Sequence, residues 1–345
     1  MPRHDRDEPV PRQPQPPRAA AHRDRAVGHR EGAAGAYARD AGGRDVAGRG
    51  RGEARGRGAI RRTVPADGSR LGRADHRAPR GHPRRRGRRG GGGAVRFDGR
   101  VAVVTGAAAG FGLAVSTRLT AEGAKVVMVD RAAEQLEKAA AGLAGALPVV
   151  ADVSVESEVD GYVAKAVEAH GKIDLFFNNA GIEGRMAPMT ELAVEDFDRV
   201  WAVNARGVFM GLRAVLKVMK QHKSGAIVNT ASMAAIRGAA TFSPYVAAKH
   251  AVAGLTRCAA LEGAPFGIRV NAVAPGHIDT RMARDLTAQI NPDDPDGVFE
   301  RTSASVPLGR YGTAEEVANL AVWLLSEEAS YVSGATHLID GALNA

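Results

Sequence analysis

Val101-Ala102-Val103-Val104-Thr105-Gly106-Ala107-Ala108-Ala109-Gly110-Phe111-Gly112 reads as a short strand running through a glycine-rich turn into a helix. Four apolar residues in a row suit a strand covered on both faces. The glycines that follow allow a tight turn and a close backbone approach to a pyrophosphate at the helix N-terminus. The spacing is G-x3-G-x-G, not the general G-x-G-x-x-G, and such a turn alone is a weak signal. On either side the same texture repeats. Apolar β-branched runs predict strands over 101–105, 125–129, 147–150, 173–178, 225–231, 268–274 and 335–339. Ala-rich stretches between them predict helices over 111–122, 132–142, 155–170, 195–221, 244–263 and 313–326.

Strands alternating with helices build βαβ units around a parallel sheet. The expected fold is therefore α/β: a single Rossmann-like domain with a doubly wound, seven-stranded parallel sheet over 95–345. The segment 277–310 holds three prolines and breaks the alternation. It is expected to be an irregular lid.

Residues 1–94 differ in kind. They hold 24 Arg, no Lys and 10 acidic residues, which leaves +14, whereas 95–345 carry −5. The formal +9 of the 345-residue chain thus belongs to this stretch, and a nucleic-acid-binding fold is not expected. With seven residues from Ile, Leu, Val, Met and Phe, 18 Gly and 9 Pro, it has too little apolar surface to offset its ordering entropy. It is expected to be a disordered Arg/Gly/Pro-rich extension. Arg55-Gly56-Arg57-Gly58 and Arg84-Arg85-Arg86 would suit a polyanion-binding arm. Arg without Lys instead favours GC-rich DNA read from a start codon placed too far upstream, with Val95 as the native start. Deleting 1–94 should leave melting temperature and specific activity unchanged, and a loss of either would show that the stretch packs or participates.

One Cys, Cys258, suits a reducing cytoplasm. No run of apolar residues is long enough to span a membrane, and Arg61-Arg62 is not followed by a secretory apolar stretch. No His, Cys or carboxylate cluster has metal-ligand spacing.

Further signals bear on chemistry. Asp130 ends the second strand eighteen residues after Gly112. A carboxylate there can accept from both ribose hydroxyls of NAD and repels a 2′-phosphate, although adjacent Arg131 could receive one. Ser232 closes the strand Ala226 to Ala231, Tyr245 follows thirteen residues later, and Lys249 lies one helical turn beyond Tyr245. An ammonium beside a phenol is expected to lower its pKa and ready it for proton transfer. Ser232 can donate to a developing alkoxide. Cys258 reads as a small buried residue of the same helix, and His250 points away from the Tyr245 face.

Residues 98–345 resemble a classical short-chain dehydrogenase/reductase over their full length. The matching set is Thr105-Gly106-(x3)-Gly110-x-Gly112, Asp152-Val153, Asn178-Asn179-Ala180-Gly181, Asn204, Ser232, Tyr245-x3-Lys249 and Pro275-Gly276-(x3)-Thr280. The resemblance implies Tyr245 as acid/base, Lys249 as ribose ligand and pKa modifier, and Ser232 orienting the carbonyl. Asn204 would hold a water linking Lys249 to solvent. Asp152 and Val153 would contact adenine, Asn179, Ala180 and Gly181 the cofactor ribose, and Pro275, Gly276, Ile278 and Thr280 the nicotinamide end. Phe111 replaces a usual Ile and is expected to be tolerated, because the backbone makes that contact. A homotetramer is implied, with 195–221 and 244–263 at the main interface.

Stretches 179–184, 206–212, 235–238 and 291–295 are similar to those of cyclohexanedione-reducing members of that family. The implied substrate is a cyclic, largely apolar ketone or alcohol. Glu183, Met233, Ala234, Phe242 and His277 would line its pocket, with Met282, Leu286 and Ile290 from the lid. A sugar or acyl-chain dehydrogenase is the alternative within the family. A nucleotide-sensing protein with a basic nucleic-acid-binding arm is the alternative outside it.

Overall fold

The computed structural model describes residues 95–345, and the readings of 1–94 as disordered or non-native lie outside the described residues. Seven strands form one parallel sheet: β1 (Val101–Thr105), β2 (Lys125–Asp130), β3 (Leu147–Val150), β4 (Leu175–Asn178), β5 (Gly225–Thr230), β6 (Ile268–Pro275) and β7 (Thr336–Ile339). Their spatial order is β3-β2-β1-β4-β5-β6-β7. This is the expected doubly wound, Rossmann-like sheet.

Every residue of β1 is buried, and alternate side chains feed opposite layers. Val103 joins Val127 and Phe176 against α3 (Glu156–His170), α5 (Val208–His222) and α6 (Ser243–Gly263). Ala102 and Val104 join Met128 and Phe177 against α1 (Gly110–Ala121), α2 (Ala133–Ala141) and α9 (Ala314–Leu325). Two covered faces explain why the strands read as continuous apolar runs.

Two expected elements change. The single helix expected over 195–221 is α4 (Val194–Trp201), a π-helical turn over Ala202–Gly207, and then α5. The irregular lid is instead two helices, α7 (Arg281–Ile290) and α8 (Pro295–Ser305). Thr280 caps the first through the Ala283 amide, and Asp294 caps the second through the Gly297 amide. Pro295 falls in the first turn of α8, where a proline starts a helix rather than breaking it.

Cys258 is exposed, not buried as expected. Val252, Thr256, Ala259, Ala260 and Gly263 form the buried stripe of α6, and position 258 lies outside it. His250 is exposed and holds the Val246 carbonyl at 2.9 Å. Among the described residues, no helix is long and apolar enough to cross a membrane, and no group of three His, Cys, Asp or Glu residues could hold a metal ion.

Candidate active site

Strand order reverses between β1 and β4, and in such sheets the crevice beyond the carboxyl ends at that point receives ligands. The crevice floor is stitched together by hydrogen bonds. Thr105, the last residue of β1, accepts at Oγ1 from the Asn179 and Ala180 amides at 2.9 and 3.1 Å. Asn179 donates through Nδ2 to the Thr105 carbonyl at 3.0 Å, and its Oδ1 accepts from the Thr230 hydroxyl at 2.9 Å. Neighbouring Asn178 is buried and serves the scaffold, donating to Val208 O and Asn229 Oδ1.

The glycine turn lies directly above. Gly106 has φ +65°, and a Cβ there would come within 2.9 Å of Asn179 Nδ2 and 3.0 Å of Ala180 Cα. A Cβ on Gly112 would overlap the Gly106 carbonyl. Gly110 faces open space, with nothing within 4 Å of where its Cβ would stand. Ala109, at the N-cap of α1, offers no side-chain cap, so the first-turn amides keep their capacity for an anion. The Phe111 side chain packs partly buried against the α1–α9 layer, which leaves the contact at this position to the backbone.

Asp130 ends β2 beside this turn, accepting from the Ala108 amide at 3.1 Å and the Ala132 amide at 3.0 Å. Each carboxylate oxygen keeps a lone pair for a ribose hydroxyl. Arg131 is exposed. Its charge reaches Asp152, where burial pushes the carboxyl up but hydrogen bonds from the Ser154 amide and hydroxyl, with Arg131, hold the balance below the usual range. Val153 packs on Gly207 of the π-helical turn, with its carbonyl 3.0 Å from where a Cβ of that glycine would stand. An open glycine turn, uncapped helix amides and an acceptor at the end of β2 together fit a dinucleotide.

The second half of the site is built from β5 and α6. Ser232 follows β5, and its Oγ accepts from the Ala234 amide at 3.1 Å, while its hydroxyl lies near enough to Tyr245 to favour the phenolate. Tyr245 and Lys249 share one face of α6, with Nζ 5.3 Å from the phenol ring centroid. Phe242 stacks on Tyr245 at 4.5 Å between centroids. Burial pushes the phenol up to about 12; the Ser232 hydrogen bond opposes this and the Glu183 carboxylate adds to it. Burial pushes the Lys249 ammonium down to about 8.

The expected lowering of the phenol by Lys249 is therefore reversed among the protein's own groups. Nζ donates to the Thr230 carbonyl at 2.8 Å, and burial is the largest influence on the phenol.

Asn204 is fully buried in the π-helical turn. Its amide grips Ile182, accepting from the N–H at 2.8 Å and donating to the C=O at 2.7 Å. Gly181 sits between Asn204 and Lys249: its missing Cβ would lie 3.2 Å from Asn204 Oδ1 and 3.7 Å from Nζ. π-Helical turns of this kind concentrate at functional sites.

Pro275 ends β6, Gly276 fits against Asp340 with no room for a Cβ, and Ile278 is buried. The Thr280 hydroxyl is engaged in capping α7. His277 lies 5.6 Å from the Tyr311 ring, and burial followed by the Arg237 charge lowers its pKa and favours the neutral imidazole. Met233 is half-buried, with its sulfur 3.2 Å from an Arg237 nitrogen. Ala234 is buried, Met282 and Leu286 are half-buried, and Ile290 is exposed. Thr230 and Gln289, which both bear on the site, have no signature in the sequence because their partners lie on distant elements.

A family model described as Enoyl-(Acyl carrier protein) reductase matches residues 106–344. A levodione reductase of Leifsonia aquatica is 46% identical over 257 residues, covering 73% of this chain and 96% of that protein. The crystal structure of a levodione reductase superposes with TM-score 0.71 at 46% identity, over 72% of this chain and 98% of the other. That of an NAD+-bound xylitol dehydrogenase gives 0.68 at 38%, over 71% and 99%. Likeness at this level, running nearly end to end along each relative, goes far beyond a shared sheet: the chain belongs to the short-chain dehydrogenase/reductase family of oxidoreductases.

Proposed function

We propose that the chain is an NAD(H)-dependent oxidoreductase that interconverts a secondary alcohol and a ketone, with a cyclic, largely apolar substrate. The carrying observation is Tyr245 with Lys249 one turn behind it on α6, Nζ 5.3 Å from the phenol ring centroid, and Ser232 at the end of β5 beside them, at the edge of a cleft that fits a dinucleotide. The cofactor, when bound, supplies or accepts the hydride. The protein's part is to bind, orient and manage the proton.

In ketone reduction the neutral Tyr245 phenol donates its proton to the oxygen that gains charge. Ser232 Oγ–H donates a hydrogen bond to that same oxygen and fixes its direction. In alcohol oxidation the phenol must first lose its proton, so the oxidising direction gains rate as pH rises. Lys249 supplies positive charge behind the ring and donors for the cofactor ribose. Asn204 holds the Ile182 backbone in place and keeps an Oδ1 lone pair for a water on the Lys249 side. Gly106, Gly110, Phe111 and Gly112 hold the pyrophosphate through backbone. Asp130 takes the adenosine ribose, with Arg131 at its edge, and Asp152 and Val153 take the adenine. Asn179, Ala180 and Gly181 line the nicotinamide ribose, with Pro275, Gly276, Ile278 and Thr280 beyond.

Glu183, Met233, Phe242 and His277 face the substrate. The wall offers few partners for sugar hydroxyls, and an unpaired buried hydroxyl costs roughly 1–3 kcal/mol. The xylitol dehydrogenase neighbour and the Glu183 carboxylate favour a polyol as the second reading. Competition between cyclohexanol and an aldose at equal concentration, followed by NADH absorbance, separates the two. A higher kcat/KM for cyclohexanol is expected, and a higher value for the aldose would refute the cyclic substrate while leaving the dehydrogenase intact.

A cytoplasmic homotetramer is the proposed state. It is supported by large apolar side chains left exposed on the helices expected at the interface: Trp201, Phe209 and Leu261.

A further inference from the structure

The segment Ile182 to Ala187 crosses the mouth of the site and is held at three places. Buried Asn204 grips both backbone groups of Ile182. The Ala187 amide donates to the Thr241 carbonyl at 2.9 Å. Between them Gln289, exposed on α7, accepts at Oε1 from the Met186 amide at 3.0 Å and donates through Nε2 to the Gly184 carbonyl at 3.3 Å. The first anchor comes from the buried π-helical turn, the second from the turn before α6, and the third from the lid. Glu183, whose carboxylate acts on the Tyr245 phenol, lies between the two amide grips.

We propose that Gln289 is a positioning residue, a latch whose carboxamide ties the last turn of α7 to the Gly184–Met186 backbone and so holds Glu183 and the closed lid over the substrate. This rests on reading the Tyr245 site as catalytic. A carboxamide presents one acceptor and two donors, which match an N–H and a C=O two residues apart as a neighbouring strand would. Both bonds are exposed, so water competes for them and the latch can open for exchange of substrate and product. The other end of α7 is tied more heavily. Arg284 pairs with both oxygens of Asp279 at 3.1 Å, and its guanidinium lies 3.7 Å from the Phe299 ring centroid. Phe299 in turn stacks on Tyr311 at 3.9 Å. The lid thus has an anchored root and a lightly fastened tip.

The test uses the full chain with Gln289→Ala and Gln289→Glu, with NAD+ and cyclohexanol as probes. At neutral pH the Glu variant keeps an acceptor for Met186 but sets a carboxylate against the Gly184 carbonyl. Both variants should raise KM for cyclohexanol about 3- to 10-fold, with kcat changed less than about twofold and NAD+ affinity unchanged. Hydrogen exchange of the protein without cofactor should show the Met186 amide exchanging several-fold faster, with the melting temperature within about 2 °C of the parent. Because Ile182 and Ala187 keep their own anchors, the variants should fold. An unchanged KM together with an unchanged Met186 exchange rate would overturn the latch, as would parallel losses in kcat, NAD+ affinity and melting temperature. If the parent enzyme oxidises no alcohol, the catalytic reading fails while the exchange measurement still decides whether Gln289 holds the loop.

Discussion

Tyr245→Phe should lose about 10²- to 10⁴-fold in kcat while binding NAD+ nearly as the parent does. The substitution removes one oxygen and keeps the ring, so the stack on Phe242 at 4.5 Å and the packing on α6 persist. What disappears is the proton donor that faces the reacting oxygen beside Ser232. Lys249 cannot replace it, because its Nζ is engaged by the Thr230 carbonyl at 2.8 Å. Cofactor titration by fluorescence beside steady-state kinetics separates the two effects. Near-parental turnover in the purified variant would rule out Tyr245 as the acid/base group. Loss of NAD+ affinity in step with rate would recast it as a binding residue.

The second large effect concerns cofactor choice. NAD(H) should be preferred over NADP(H) by at least about 10²-fold in kcat/KM, since a 2′-phosphate would forfeit two charge-assisted hydrogen bonds and meet a like charge. Asp130 is held for this role from both sides by the Ala108 and Ala132 amides, so it cannot swing away cheaply. Arg131 is the residue that could soften the preference, and its charge is directed in part at Asp152. Asp130→Ala should narrow the ratio mainly by raising KM for NAD+. A parent enzyme that prefers NADP+ would refute the assignment and point to Arg131 as the phosphate ligand.

Much of the fold was legible in the chain because its signals are local. A strand buried on both faces must be apolar throughout, and Val101 to Thr105 is. The Gly106-to-Gly112 turn has its spacing because a Cβ at Gly112 would strike the Gly106 carbonyl. Ser232, Tyr245 and Lys249 were equally readable, since each lies at the end of a strand or one helical turn from its neighbour. Reading prolines as breakers hid α7 and α8, although Thr280 and Asp294–Pro295 are local helix-start signals. Other features had no local trace. The π-helical turn that buries Asn204 adds a bulge that no residue type announces.

Only the tertiary structure decided the electrostatics and the cross-chain grips. A Tyr and a Lys one turn apart suggest a lowered phenol pKa. Burial of both, with the ammonium turned to Thr230, raises it instead, because desolvation depends on everything packed around a group rather than on its sequence neighbour. Gln289 meets Gly184 and Met186 across more than a hundred residues, and a contact of that span exists only once the sheet has set its strand order. Propensity and spacing act along the chain and so belong to the sequence, whereas desolvation and the meeting of distant polar groups act through space and belong to the fold.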